Sequence, residues 1–307
     1  MEKVIVVIGP ASVGKTKMGV ALAKKFNGEV ISGDSMQIYK QMDIGTAKVT
    51  EEEKEGIIHH CVDILNPDET YSVHDFQQTV RKKITEITQR GHVPIIVGGT
   101  GLYIKAALYD YQFDEMENDH HAINEKYKDY TNEQLHDHLK SIDEESAKIL
   151  HFNNRRRVLR AIEIYETTGK RKSEMLEEQE HICLYDACFV GLTLPRDVLY
   201  ERINKRVDVM MENGLKEEME RLYSQGLTRN HQSMKAIGYK EWFDYYDHQI
   251  DLNDVLELIK KHSRQYAKRQ YTWFKNQFDV HWYDVNLENF EQTIEQVIDD
   301  IEKILKV

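Results

Sequence analysis

The chain has 307 residues, enough for one large α/β domain or two smaller ones, and 40% of them are apolar, which supports a buried core. A net charge of −12 argues against nucleic acid as a partner unless local basic patches override it, and no apolar run approaches the length of a membrane span, so no membrane is expected. Three cysteines (Cys61, Cys183, Cys188), odd in number and without metal or disulfide spacing, suit a reducing cytosol, and a cytoplasmic protein without a signal peptide is expected because the chain starts directly on a strand.

That strand is Val4–Ile8. It runs into Gly-Pro-Ala-Ser-Val-Gly-Lys-Thr at 9–16 and then into the helix-compatible stretch MGVALAKKF. Strand, G-x-x-x-x-G-K-T and helix together read as a phosphate-binding P-loop. A second short strand, Glu29–Ser32, ends at Gly33-Asp34-Ser35, and Cys61–Ile64 is expected to be a third. Ser72–Arg90 reads as a helix, with Val73, Phe76, Val80, Ile84 and Ile87 at helical spacing and Gly91 as its stop. Val93–Val97 is a buried strand ending in Gly98-Gly99-Thr100-Gly101. Such β-α-β order implies a P-loop NTPase-like α/β fold, a mostly parallel sheet with helices on both faces. Ligands of these sheets bind at the carboxyl ends of the strands, where Gly9–Thr16, Asp34 and Thr100 share one rim.

From 115 to 185 the chain turns polar and helical. Thr131-Asn132-Glu133-Gln134 is a capping box, and a further helix begins near Asn154 and ends at Gly169. The stretch reads as a helical insertion, leaving 1–114 and 186–307 as the α/β core with C-terminal helices. The sheet resumes at Cys188–Leu194, a helix starts at Asp197, and the remainder is expected to be helical, ending in an acidic amphipathic tail.

Several constellations carry chemistry. In the P-loop (Gly9, Pro10, Ala11, Ser12, Val13, Gly14), backbone N–H groups and the helix N-terminus face an anion. Lys15 adds a positive charge, and the Thr16 hydroxyl suits magnesium. Asp34 has three readings: it holds magnesium through water, acts as a general base, or caps a turn. Thr100 is a helix cap, or a donor to phosphate and acceptor from a substrate amine. Val93–Val97 ends without the acidic residue that many triphosphate-using P-loop enzymes place there, which argues against ATP hydrolysis. Arg202 and Arg206, at i and i+4, are either a solvated helix face or a cationic pair over phosphates. His59-His60-Cys61 is not read as a metal site, because adjacent strand residues point to opposite faces. Two basic segments interrupt the acidic whole: Arg155–Arg160, and Lys260–Lys275, where Lys261, Arg264, Lys268, Tyr271 and Lys275 share a stripe. Cations among aromatics suit a nucleic-acid backbone with splayed bases, although a charged surface helix has the same look.

The chain resembles the bacterial tRNA dimethylallyltransferases, or tRNA isopentenyltransferases. The resemblance rests on GPASVGKT, SGDSMQIYKQMDIGTAK, HHCVDILNPDETYSVHDF, RGHVPIIVGGTGLYIKA, RRRVLRAIEIY, RINKRVDVMMENGL, MKAIGYKEW and RQYAKRQYTWF, which fall in family order from residue 9 to 274. Val13 and Val49 depart from commoner family choices, and the insertion matches loosely. The resemblance implies transfer of a dimethylallyl group from dimethylallyl diphosphate to the exocyclic amine of adenosine 37 in tRNA. The P-loop would then hold a leaving diphosphate. Lys15, Thr16 with magnesium, and Arg206 with Arg202 would neutralise its charge. Asp34 would take the amine proton, Thr100 would position the amine, and Ser35, Met36 and Gln37 would contact the adenine, which must leave the loop stack. Arg156, Arg157 and Arg160, with Arg264, Lys268 and Arg269, would hold the anticodon stem-loop. The acidic exterior suggests a monomer. The runner-up is a small-molecule kinase; a non-catalytic RNA-binding module is a third reading.

Overall fold

A computed structural model describes residues 1–111, 120–178 and 181–307. Six strands form one parallel sheet: β1 (Lys3–Ile8), β2 (Gly28–Ser32), β3 (His59–His60), β4 (Val93–Gly98), β5 (Asp186–Thr193) and β6 (Val280–Asp284), in the order β3-β2-β4-β1-β5-β6. β1 is central, with Ile5 opposite both Ile95 and Cys188. Val4 through Ile8 are all fully buried, so the strand reads as an unbroken apolar run rather than an alternating one, as expected when helices cover both faces.

The helices include α1 (Lys15–Phe26), α2 (Val73–Gln89), α3 (Gly101–Leu108), α4 (Asn132–Ile142), α5 (Arg155–Thr168), α6 (Arg196–Glu212), α7 (Leu215–Ser224), α8 (Leu252–Gln277) and α9 (Phe290–Leu305), with α4 and α5 in the stretch Tyr109–Ile182. Met18 and Leu22 of α1 pack with Ile5 and Val7 of β1, Val190 and Leu192 of β5, and Ile294, Val297 and Ile301 of α9 in one core. Local chemistry sets the helix ends. Ser72 and Asp75 cap α2 reciprocally, as Thr131 and Gln134 cap α4 and Asp251 and Asp254 cap α8.

Two expected elements are corrected. The third strand is His59–His60, not Cys61–Ile64. Cys61 (φ 63°) and Asp63 (φ 57°) occupy the left-handed region, so the chain turns there and cannot stay extended. The C-terminal region is not wholly helical: Val280–Asp284 leaves α8 as edge strand β6, with Val280 opposite Phe189. Val280, Trp282 and Tyr283 favour strand, but five residues directly after a 26-residue helix give too short a pattern to stand apart from it.

The chain divides into two compact units, Met1–Leu108 with Cys183–Val307, and Tyr109–Ile182. The expected border after residue 114 lies outside the described residues. The second unit has its own core of Ile123, Tyr127, Leu135, Leu139, Val158 and Ile162. Among the described residues no helix is long and apolar enough to cross a membrane.

Candidate active site

A cleft of about 410 Å³ opens at the carboxyl rim of the sheet. Lys15, Asp34, Ser35, Thr100, Arg206 and Arg269 line one part of it, and Ile203, Val207, Met210 and Ile259 line another. The P-loop enters from β1. Gly14 (φ 97°) is the left-handed N-cap of α1, and a Cβ there would lie 2.7 Å from the Phe290 ring of α9. The protein's own packing therefore requires this glycine, alongside the approach of an anion. Lys15 arches over its loop, with Nζ donating to the carbonyls of Gly9 (2.7 Å) and Pro10 (2.8 Å). Burial pushes its pKa down to about 8; the charge of Asp34 opposes this and that of Arg206 adds to it.

Arg202 Nε donates to Ser12 O at 3.0 Å, and Arg206 reaches the same cleft. Arg202 therefore touches the phosphate loop, and both arginine side chains remain exposed. Desolvation within the cleft holds the Arg206 pKa below its ordinary value, against the charge of Glu53 and together with that of Arg202. An anion between Lys15, Arg202 and Arg206 would relieve that mutual repulsion.

Asp34 does two things. Its Oδ1 accepts from Met36 N–H at 3.0 Å, which makes the turn, and the same carboxylate lines the cleft. Burial raises its pKa, more than the N–H groups of Met36 and Gln37 and the charge of Lys15 lower it. A carboxylate so placed is a stronger base than a solvated one. Thr100 spends its side chain on this loop: Oγ1 accepts from Ser35 N–H at 3.0 Å, and its own N–H donates to Gly33 O at 3.2 Å. Ser35 and Met36 line the cleft. Gln37 is placed otherwise than expected. Its amide accepts from the Ser32 hydroxyl (3.1 Å) and donates to Thr46 O (3.2 Å), bracing the neighbouring loop.

That loop and α8 supply residues that local sequence patterns miss. Gly45, Thr46 and Ala47 line the cleft, and the buried Glu218 of α7 holds the loop from behind. Tyr266 and Gln270 of α8 line the opposite wall. Burial, with the charge of Asp34, pushes the Tyr266 phenol up to about 12, so it stays protonated. The only sequence signal for Gly45, Thr46, Ala47, Tyr266 and Gln270 is that they fall in blocks of the resemblance, and Glu218 lies outside those blocks.

The cations of the basic segment on α8 have different surroundings. Arg264 donates to Asn204 Oδ1 at 2.6 Å, tying α8 to α6. Arg269 faces the cleft at the sheet rim. Lys268 faces a second pocket of about 260 Å³, shared with Arg196, Tyr200, Tyr271 and Lys275. Within the second unit, Arg156 and Arg157 are exposed, whereas Arg160 pairs with Glu163 at 3.0 Å and Arg155 caps the carbonyls of Tyr127 and Tyr130. His60 is structural. Glu29 gathers His60, Arg90 and His92, and although burial raises its pKa, these hydrogen bonds outweigh it and bring the carboxyl to about 2. Among the described residues no group of three His, Cys, Asp or Glu side chains is arranged to hold a metal.

Comparison with known proteins adds an independent line. The sequence profile of IPP transferases matches residues 37–277. A tRNA dimethylallyltransferase of Bacillus cereus (strain AH187) is 54% identical over 287 residues, covering 92% of this chain and 90% of its own. One from Bacillus anthracis is also 54% identical, with 92% and 91% covered. Among solved structures, a tRNA delta(2)-isopentenylpyrophosphate transferase of Staphylococcus epidermidis superposes with a TM-score of 0.74 at 47% identity, over 99% of both chains. A eukaryotic dimethylallyltransferase acting on tRNA superposes with a TM-score of 0.87 at 32% identity, over 99% of this chain and 79% of its own.

Proposed function

Because this chain belongs to the IPP transferase family, we propose that its cleft joins a dimethylallyl group from dimethylallyl diphosphate to the exocyclic amine of adenosine 37 in tRNA. The chain is a tRNA-modifying prenyltransferase. The observation that carries the finer reading is the convergence of Lys15, Arg206, Asp34 and Thr100 on one cleft.

The diphosphate lies on the P-loop, and Lys15, Arg202 and Arg206 take up the charge that grows as the allylic C–O bond breaks. The amine nitrogen bonds to that carbon, and its proton passes to Asp34. An aryl amine is a weak nucleophile, so both the leaving-group cradle and the base are needed. Thr100 orders the Asp34 loop through Ser35. The Thr16 hydroxyl in the first turn of α1 is a hard oxygen donor, which suits magnesium held largely by diphosphate oxygens and water. There magnesium would supply further charge neutralisation. Arg156, Arg157, Lys268 and Arg269 are the cations we assign to the anticodon stem-loop, and Arg269 lines the cleft itself. A tRNA substrate fits a cytoplasmic enzyme, and the acidic exterior fits a monomer.

The test is a filter assay of radiolabel transfer from dimethylallyl diphosphate to unmodified tRNA, run beside phosphate release from ATP. Label on tRNA without ATP turnover is expected; ATP turnover without transfer would overturn the reading in favour of a kinase.

A further inference from the structure

Tyr266, Gln270 and Trp273 follow one another at i, i+4 and i+7 along α8, and so lie on one helix face. All three bear on the Gly98–Gly101 turn. Gln270 Nε2 donates to Gly99 O at 2.9 Å, and the Tyr266 hydroxyl stands 3.5 Å from the same oxygen. A Cβ on Gly99 would lie 2.3 Å from Gln270 Nε2, and one on Gly101 would lie 2.3 Å from the Trp273 ring. Glycine therefore lets α8 press directly on the turn backbone. From Gly99 the path continues through Thr100, whose Oγ1 accepts from Ser35 N–H, to Asp34.

We propose that Gln270 is a positioning residue: its buried amide fixes the Gly99 carbonyl, and through it the Thr100 hydroxyl and the Asp34 loop, in the geometry the reaction needs. The proposal rests on the function given above, since it takes Asp34 as the base. The adjacent residue, Arg269, faces the cleft, so the helix that would bear on the RNA also sets the catalytic turn.

Two variants test this. Gln270→Met keeps the length of the side chain and removes its hydrogen bonds. We expect kcat to fall on the order of 10- to 100-fold, the scale of a small misplacement, with KM for tRNA and for dimethylallyl diphosphate within about twofold of wild type. Gln270→Glu can donate to Gly99 O only while its carboxyl is protonated. Its kcat relative to wild type should rise as pH falls, while the same ratio for Gln270→Met stays flat. A raised KM with unchanged kcat would make Gln270 a substrate contact and overturn the proposal, as would a flat ratio for Gln270→Glu. If Gln270→Met does not fold, the pH-dependent ratio of Gln270→Glu decides alone. Failure of the wild-type protein to transfer any prenyl group would overturn the proposed function instead.

Discussion

Glu218 is the residue whose replacement is most informative about how the cleft wall is held. It is 1% exposed, yet its carboxylate accepts from the N–H groups of Asp43 (3.2 Å) and Ile44 (2.8 Å) and from the Tyr239 hydroxyl (2.5 Å). Gly45 N–H adds a longer contact at 3.4 Å. Burial and the charge of Glu218 push the Tyr239 phenol well above its ordinary pKa, so it stays a donor. Every neighbour therefore offers a proton; the backbone N–H groups cannot accept one from an amide, and the Tyr239 hydroxyl could do so only by giving up its own donation. Glu218→Gln keeps the shape but turns one acceptor into an NH2 facing donors. Hydrogen bonds to a charged group contribute roughly 1.5–3 kcal/mol each, and an unsatisfied buried group costs roughly 1–3 kcal/mol. With one or two of the three bonds lost, the substitution should cost about 2–4 kcal/mol. Urea unfolding should show a lower midpoint at an unchanged slope. Because Gly45, Thr46 and Ala47 line the cleft, KM for dimethylallyl diphosphate should rise as well. A midpoint for Glu218→Gln equivalent to within about 0.5 kcal/mol of wild type, the range of an ordinary surface change, would refute the clamp.

Other outcomes follow from the cleft's charges. Asp34→Ala should lose turnover by orders of magnitude while tRNA affinity stays unchanged; a single-turnover rate near wild type would remove Asp34 from the role of base. The pH profile of kcat/KM reports the free enzyme. The raised pKa of Asp34 means its base form is lost as pH falls, beginning above the ordinary carboxylate range, and Lys15 loses its charge as pH rises through about 8. A bell with an alkaline limb near pH 8 is expected, and a profile still flat at pH 9 would contradict the Lys15 assignment. Lys268→Ala should weaken tRNA binding and lower the salt slope by about one counterion, with kcat little changed. Arg269→Ala, facing the cleft, should lower kcat as well, and identical behaviour of the two variants in a salt series and a turnover assay would refute the separate placement of the two residues.

Features written into contiguous residues were legible in the sequence. The apolar run Val4–Ile8, the capping box at Thr131, and the strand ends that put Gly9–Thr16, Asp34 and Thr100 on one rim all follow from local patterning. What escaped depends on partners distant in the chain. Arg264 has the composition of an RNA contact, but Asn204, 60 residues away, takes its guanidinium. Periodicity placed Lys268 on a stripe without showing that Arg269, one residue on, enters a different pocket. Gln37 reads as a loop residue free to touch a base until Ser32 and Thr46 are seen to engage its amide. β6 was missed because a five-residue edge strand has little signal of its own.

The Phe290 ring packed against Gly14 has a consequence for the order in which the molecule is built. The phosphate loop is the first motif in the chain, but the wall behind it belongs to the last helix, and Lys17 of the loop's own helix sits 5.1 Å over that same ring. Its strand likewise has β5 as one neighbour, some 180 residues downstream. Contacts of such sequence separation form late, after the closure entropy of the intervening chain has been met. A nascent chain thus carries the motif long before it carries the finished loop, and the diphosphate binding proposed for it should emerge only when residues near 290 have docked.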